Sequence, residues 1–192
     1  MLPATDAMLP QWLLDRLATE TAGFATAGSR MKLVIDLSRL NVGQGTGGPF
    51  GAAVFDAGNG TLIAAGVNRV VPLNNSTAHA EMLAIAAAQQ KLGCFDLGAK
   101  GMPDCELVTS CEPCAMCFGA IPWSGIRRVV CGATAADAQR IGFDERPRHP
   151  DWVAELEKRG IHVQTGVCRD AAARVLNDYQ SAQGVIYNGR VA

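Results

Sequence analysis

Two short stretches of this sequence combine residue types that do chemistry together. One is His79-Ala80-Glu81, and the other is Cys111-Glu112-Pro113-Cys114-Ala115-Met116-Cys117. Imidazole nitrogen and thiolate sulfur are preferred zinc ligands, and a carboxylate beside them is a natural proton carrier. His79, Cys114 and Cys117 make three ligands and leave a fourth tetrahedral position for water. Structural zinc takes four protein ligands and catalytic zinc three, so one catalytic Zn2+ per chain is the expected cofactor. Glu81 is not needed as a ligand and is free to take a proton from that water and pass it on. The chemistry implied is metal-assisted hydrolysis, with Glu81 catalytic.

Plainer readings stand beside this one. Cys111 and Cys114 also form a C-x-x-C pair, which a redox site would use. Cys111 as a fourth ligand would instead make a non-catalytic, zinc-stapled structural module. Pro113 suits the first position of a helix, and Cys114 and Cys117, three apart, then share a face of its first turns. Cys111 falls outside that helix, at the end of the preceding strand. The other four of the seven cysteines (Cys94, Cys105, Cys131 and Cys168) stand apart and read as buried thiols. Gly43-Gln44-Gly45-Thr46-Gly47-Gly48 matches a dinucleotide-binding fingerprint literally, but that fingerprint needs a strand before it and a helix after it. Here the order is reversed, so the stretch reads as a loop entering a strand.

The elements that must position these residues follow from hydrophobic spacing and punctuation. Leu9 to Leu17 and Met31 to Leu40 have helical periodicity, joined by a Gly/Thr/Ala/Ser linker. Ala52 to Phe55 and Thr61 to Val71 read as a hairpin about Gly58-Asn59-Gly60. An Ala-rich helix is predicted from about Ala78 to Leu92, capped by Ser76 or Thr77. Then come a strand at Glu106–Thr109, the helix Pro113–Trp123 and a strand at Arg127–Cys131. The helix Asp151–Arg159, the strand Ile161–Val167 and the helix Asp170–Gln180 complete the order. A hairpin followed by alternating helices and strands predicts an α/β fold: a mixed central sheet of about five strands between helices on both faces, a three-layer α/β/α arrangement.

Composition bounds the partners. The chain has 192 residues and 48% hydrophobic content, enough for a sizeable core in one domain, 1–192, with residues 1–30 an N-terminal helix and linker. Seventeen Lys+Arg against 18 Asp+Glu leave a net charge of -1, and the pI of about 6.3 argues against a basic face for duplex nucleic acid. No window approaches the roughly 20 apolar residues of a membrane span. The first residues carry no signal-peptide pattern, so a cytoplasmic protein is expected.

The joint pattern H-x-E…P-C-x-x-C resembles that of the zinc-dependent nucleobase deaminases. After residue 30 nearly the whole chain is similar to the cytidine deaminase-like superfamily. Gly47-Gly48-Pro49-Phe50-Gly51-Ala52 resembles the superfamily's loop into its first strand, and Glu112 to Cys117 its E-P-C-x-M-C. Within it, Ile141-Gly142-Phe143-Asp144-Glu145 and the tail Gly184-Val185-Ile186-Tyr187-Asn188 are similar to bacterial members that act on free guanine. The resemblance implies hydrolysis of guanine to xanthine and ammonia, with Glu145 as a second catalytic carboxylate. It implies that Phe50 and Trp123 flank the base and that Asn68, in the second strand, bonds its edge; Ala80 completes the expected substrate-binding set. It further implies a homodimer whose tail, 184–192, closes over an active site, with Gly184 and Gly189 as hinges. A tRNA adenosine or cytosine/cytidine-type deaminase is the alternative within the superfamily.

Overall fold

The structure is a computed structural model and describes residues 6–20, 23–144 and 146–189. The start of the chain, linker residues 21–22, Glu145 and the tail from Arg190 onward lie outside the described residues. Helices α1 (Gln11–Thr19) and α2 (Ala27–Gly43) precede the hairpin β1 (Gly51–Asp56) and β2 (Leu62–Val67). The short α3 (Val70–Leu73), then α4 (Ala80–Leu92), β3 (Cys105–Cys111), α5 (Ala115–Ser124) and β4 (Arg128–Ala133) follow. The chain continues through α6 (Ala135–Arg140), α7 (Trp152–Glu157), β5 (His162–Gln164) and α8 (Arg169–Ser181).

The five strands form one mixed sheet in the order β2-β1-β3-β4-β5. The hairpin strand β1 is antiparallel to both β2 and β3, whereas β3, β4 and β5 run parallel. Parallel neighbours require a crossover, which α5 supplies between β3 and β4. Strand side chains alternate between faces. Ala52, Val54, Leu107 and Val129 pack with α4, α5 and α7, while Ala53, Phe55, Val108 and Val130 pack with α1 and α2. All seven residues of β3 are buried, as expected for the middle strand of a sheet covered on both sides.

Several boundaries differ from the sequence expectations, each for a local reason. The second strand stops at Val67, where its pairing with Gly51 ends, so Asn68 lies just beyond β2. The last strand is three residues long. The segment Ala135–Arg140, which shows no helical periodicity of its own, is helical because Thr134 and Asp137 form a reciprocal capping box. Of the four isolated cysteines, Cys105 and Cys131 are buried, but Cys94 and Cys168 are only half-buried.

Asp137 holds the site-side end of this region together. Its carboxylate accepts from Thr134 N and Oγ1 at 2.9 and 2.8 Å and from Arg169 Nε and the guanidinium's second nitrogen at 2.9 and 3.1 Å. The Arg169 hydrogen bonds, against an opposing effect of burial, hold its pKa well below the usual carboxylate range. Asp137→Asn is expected to cost on the order of 2 kcal/mol at pH 7, measured by urea unfolding. Because the folded pKa is depressed, that contribution is fully present above about pH 4 and fades as pH falls further. The gap between wild type and variant should close on acidification.

Candidate active site

Two helix N-termini meet at this site. His79 is the N-cap of α4 and Cys114 the N-cap of α5; both have extended backbone, and neither side chain makes a capping hydrogen bond. These are positions where Ser, Thr, Asn or Asp normally cap, worth about 1 kcal/mol. Here the side chains face each other: Nδ1 of His79 lies 3.5 Å from Cys114 Sγ and 3.7 Å from Cys117 Sγ. The structure thus shifts both predicted helix starts. Thr77 does not cap α4, because its N–H and hydroxyl donate to Asn75 Oδ1. Pro113 stands one residue before the cap of α5 rather than inside the helix.

The donor atoms of His79, Cys114 and Cys117 all lie within 4.8 Å of one another, the one such group among the described residues. Zinc bonds of about 2.0 Å to nitrogen and 2.3 Å to sulfur place tetrahedral neighbours roughly 3.5–3.8 Å apart, and the two nitrogen–sulfur separations match that spacing. Cys111 is not part of it. It lines the same cavity, but its Sγ donates to Thr134 O at 3.6 Å. A four-ligand structural site using Cys111 therefore has no geometric support among the described residues.

Charge favours the ligand form. The hydrogen bond from Cys117, against the cost of burial, brings the Cys114 thiol down to about 4, and the positive ends of α4 and α5 act in the same direction. Glu81, in the first turn of α4, is buried. Burial first, and the Cys114 charge second, push its carboxyl pKa up from the ordinary value.

The group sits in a cavity of about 380 Å³ lined by Phe50, Asn68, His79, Glu81, Phe143 and Tyr187, among others. Phe143 meets Phe50 edge-on at 5.0 Å and Tyr187 edge-on at 5.5 Å. Asn68 is buried, and its Nδ2 donates to the Tyr187 hydroxyl. A polar network under the cavity fixes Asn68. The fully buried Asn41 donates through Nδ2 to Gly48 O and Asn68 O at 2.9 and 2.8 Å. A Cβ on Gly47 would lie 1.8 Å from Asn68 O, so only glycine allows this approach.

The structure brings together Phe50, Asn68, His79, Glu81, Cys114 and Cys117. Trp123 and Ala80 stand apart from this group. Trp123 is 87% exposed near the far end of α5 and does not line this chain's cavity. It stands eight residues beyond Ala115, about 12 Å along the helix axis from the end that carries the ligands. Ala80 is fully buried, packed in the core rather than against the cavity. Glu145 lies outside the described residues, while its neighbours Asp144 and Arg146 line the cavity wall.

The tail belongs to the same wall. Tyr179 donates to Val185 O at 2.9 Å, and Asn188 both accepts from Asp144 N and donates to Gly142 O. Tyr187, Asn188 and Gly189 line the cavity of their own chain. Gly184 packs closely, since a Cβ there would stand 2.2 Å from the Tyr179 ring. Phe143 is a wall residue that sequence reasoning missed, although its place in the stretch Ile141–Glu145 was a signal for it.

A mixed sheet flanked by helices, with one histidine and two cysteines converging where two helices begin, defines a zinc-dependent deaminase. Residues 26–133 match the cytidine and deoxycytidylate deaminase zinc-binding region, and the chain belongs to that family. It is similar to the guanine deaminase of Bacillus subtilis (strain 168), 44% identical over 131 residues, or 68% of this chain and 80% of that protein. Its structure resembles that of NE0047 in complex with 2,6-diaminopurine, with a TM-score of 0.88 and 52% identity over 95% of this chain and 96% of the other. It also resembles a guanine deaminase from Nitrosomonas europaea, with a TM-score of 0.86 and 51% identity over 90% of this chain and 94% of the other.

Proposed function

We propose that this protein deaminates free guanine by hydrolysis, giving xanthine and ammonia. One observation carries the reading: three zinc-ligating side chains and the buried Glu81 converge inside a small cavity with aromatic walls. The similarity to guanine deaminases over most of the chain supports the choice of base. When bound by His79, Cys114 and Cys117, zinc supplies Lewis acidity that makes hydroxide available at neutral pH.

The protein's own residues do the rest. Phe50 on one side and Tyr187 on the other sandwich the flat base, while Asn68 hydrogen-bonds its edge. Glu81 takes a proton from the attacking water and gives it to the ring nitrogen beside C2. A carboxyl whose pKa burial raises is suited to that exchange, because it takes up a proton more readily than an ordinary carboxylate and can give it back. Glu145, from the sequence resemblance, protonates the departing amine. Tyr187, Asn188 and Gly189 act as a lid in cis, excluding water and leaving no path for a nucleic-acid strand.

The test is ammonia release from a panel of bases and nucleosides, with X-ray absorption on the same preparation. Guanine should be turned over, and the spectrum should show one zinc with two sulfurs, one nitrogen and one oxygen. Turnover of adenosine in tRNA but not of guanine would overturn the substrate, and a spectrum of three or four sulfurs would overturn the catalytic centre. Glu145→Gln, run in the same panel, should lose turnover with its melting temperature unchanged; a surface charge would alter neither.

We further propose a single domain that works as a cytoplasmic homodimer. Helix α5 is apolar along most of its length, yet only Cys117, Ile121 and Ser124 are buried, and Trp123 stands in solvent. A second copy covering that face would bury it. Among the described residues no helix is long and apolar enough to cross a membrane. Sedimentation equilibrium measures the assembly, and a monomer at micromolar concentration would refute it.

A further inference from the structure

The segment leading into Cys114 is gripped by a side chain that zinc ligation does not itself require. Arg148, between α6 and α7, donates from one guanidinium nitrogen to Pro113 O at 3.0 Å and from the other to Glu112 Oε2 at 3.1 Å. The same Glu112 oxygen accepts Ala135 N at 3.0 Å, and Glu112 N donates to Ala133 O at 2.8 Å. The guanidinium lies over the Trp152 ring, 4.9 Å from its centroid. Both charged side chains are only 14% exposed. The fork is thus backed by an aromatic face while its two nitrogens reach two consecutive residues.

Pro113 O and Cys114 N belong to one planar peptide unit. A hydrogen bond to that oxygen fixes the plane, and the plane sets the direction in which the Cys114 side chain leaves the backbone. Cys114 is the N-cap of α5 and its side chain meets His79 and Cys117, so the direction in which it leaves the backbone decides whether the three donors converge. We infer that Arg148 is a positioning residue for the metal centre, aiming Cys114 at the point where His79 and Cys117 converge. This rests on the reading that Cys114 is a zinc ligand. Arg148 touches neither substrate nor metal, and its effect passes through the Pro113–Cys114 peptide. A lysine keeps the charge but not the planar fork, so it cannot hold both acceptors in the same geometry.

The experiment is chelator competition on zinc-loaded protein, comparing wild type, Arg148→Gln and Arg148→Lys, with the melting temperature of each zinc-free form measured alongside. Outer contacts that orient metal ligands are typically worth about 10–100-fold in affinity. Arg148→Gln should lose zinc affinity by that factor, and Arg148→Lys should fall between it and wild type. Arg169→Gln serves as the control, since the hydrogen bonds it removes go to Asp137 and not to the Glu112–Cys114 segment. It should lower the melting temperature with zinc affinity unchanged. If Arg148→Gln fails to fold, the Arg148→Lys comparison decides alone. Wild-type affinity in both Arg148 variants, or an equal affinity loss in Arg169→Gln, would overturn the inference. A wild-type protein that binds no zinc would instead overturn the reading of the centre on which it rests.

Discussion

Glu81→Gln is expected to keep its zinc and lose at least about 10²-fold in turnover, equivalent to roughly 2.7 kcal/mol of barrier. The amide has the size and much of the hydrogen-bonding capacity of the acid but cannot carry a proton. Glu81 is buried in the first turn of α4, and the metal-competent group consists of His79, Cys114 and Cys117 without it. The ligand set is therefore intact in the variant. Removing a buried carboxyl whose pKa is already raised also relieves desolvation, so the folded state should not suffer. Rates and zinc content measured on one preparation give the answer. Near-wild-type turnover would remove Glu81 from the mechanism.

Deleting residues 184–192 should have an effect of similar size for a different reason. The tail supplies Tyr187, which packs on Phe143 and whose hydroxyl accepts from Nδ2 of Asn68. It also supplies Asn188, which pins the backbone of Asp144 and Gly142 beside the cavity. Without it the cavity opens to water, and the Asn68 amide loses its Tyr187 partner while one wall loses its anchor. A drop of about 10²-fold in kcat/KM is expected, the cost of a loosened reacting geometry. Zinc content should be unchanged, because no described tail residue belongs to the ligand group. Tyr187→Phe separates the contributions by removing the hydroxyl while keeping the aromatic wall, and should raise KM more than it lowers kcat. A truncated protein that is folded, zinc-replete and fully active would refute the lid.

Much of the centre is legible in the order of residues because its chemistry restricts residue types. Zinc at a hydrolytic centre calls for nitrogen and sulfur ligands and a carboxylate nearby, and few arrangements of His79, Glu81, Cys114 and Cys117 satisfy that. The sheet is legible for a similar reason, since strands buried on both faces and helices with one apolar stripe leave few layer arrangements. Two elements escape this kind of reading because the competing local signals are short. Asn75 captures Thr77 and moves the start of α4 to His79. The Thr134–Asp137 capping box makes a six-residue helix too short to show periodicity.

Residue types and their spacing therefore suffice to say which atoms can bind zinc, which group can move a proton, and that strands and helices alternate around a core. Packing in three dimensions supplies what spacing cannot encode. His79 and Cys114 are 35 residues apart, and they meet only because α4 and α5 both begin beside the ends of the central strands. The same packing puts Trp123 outside its own cavity, folds the tail back over the chain that carries it, and lays Arg148 against Pro113. Contacts of that kind depend on distances between elements, and hydrophobic periodicity reports only the face each element buries.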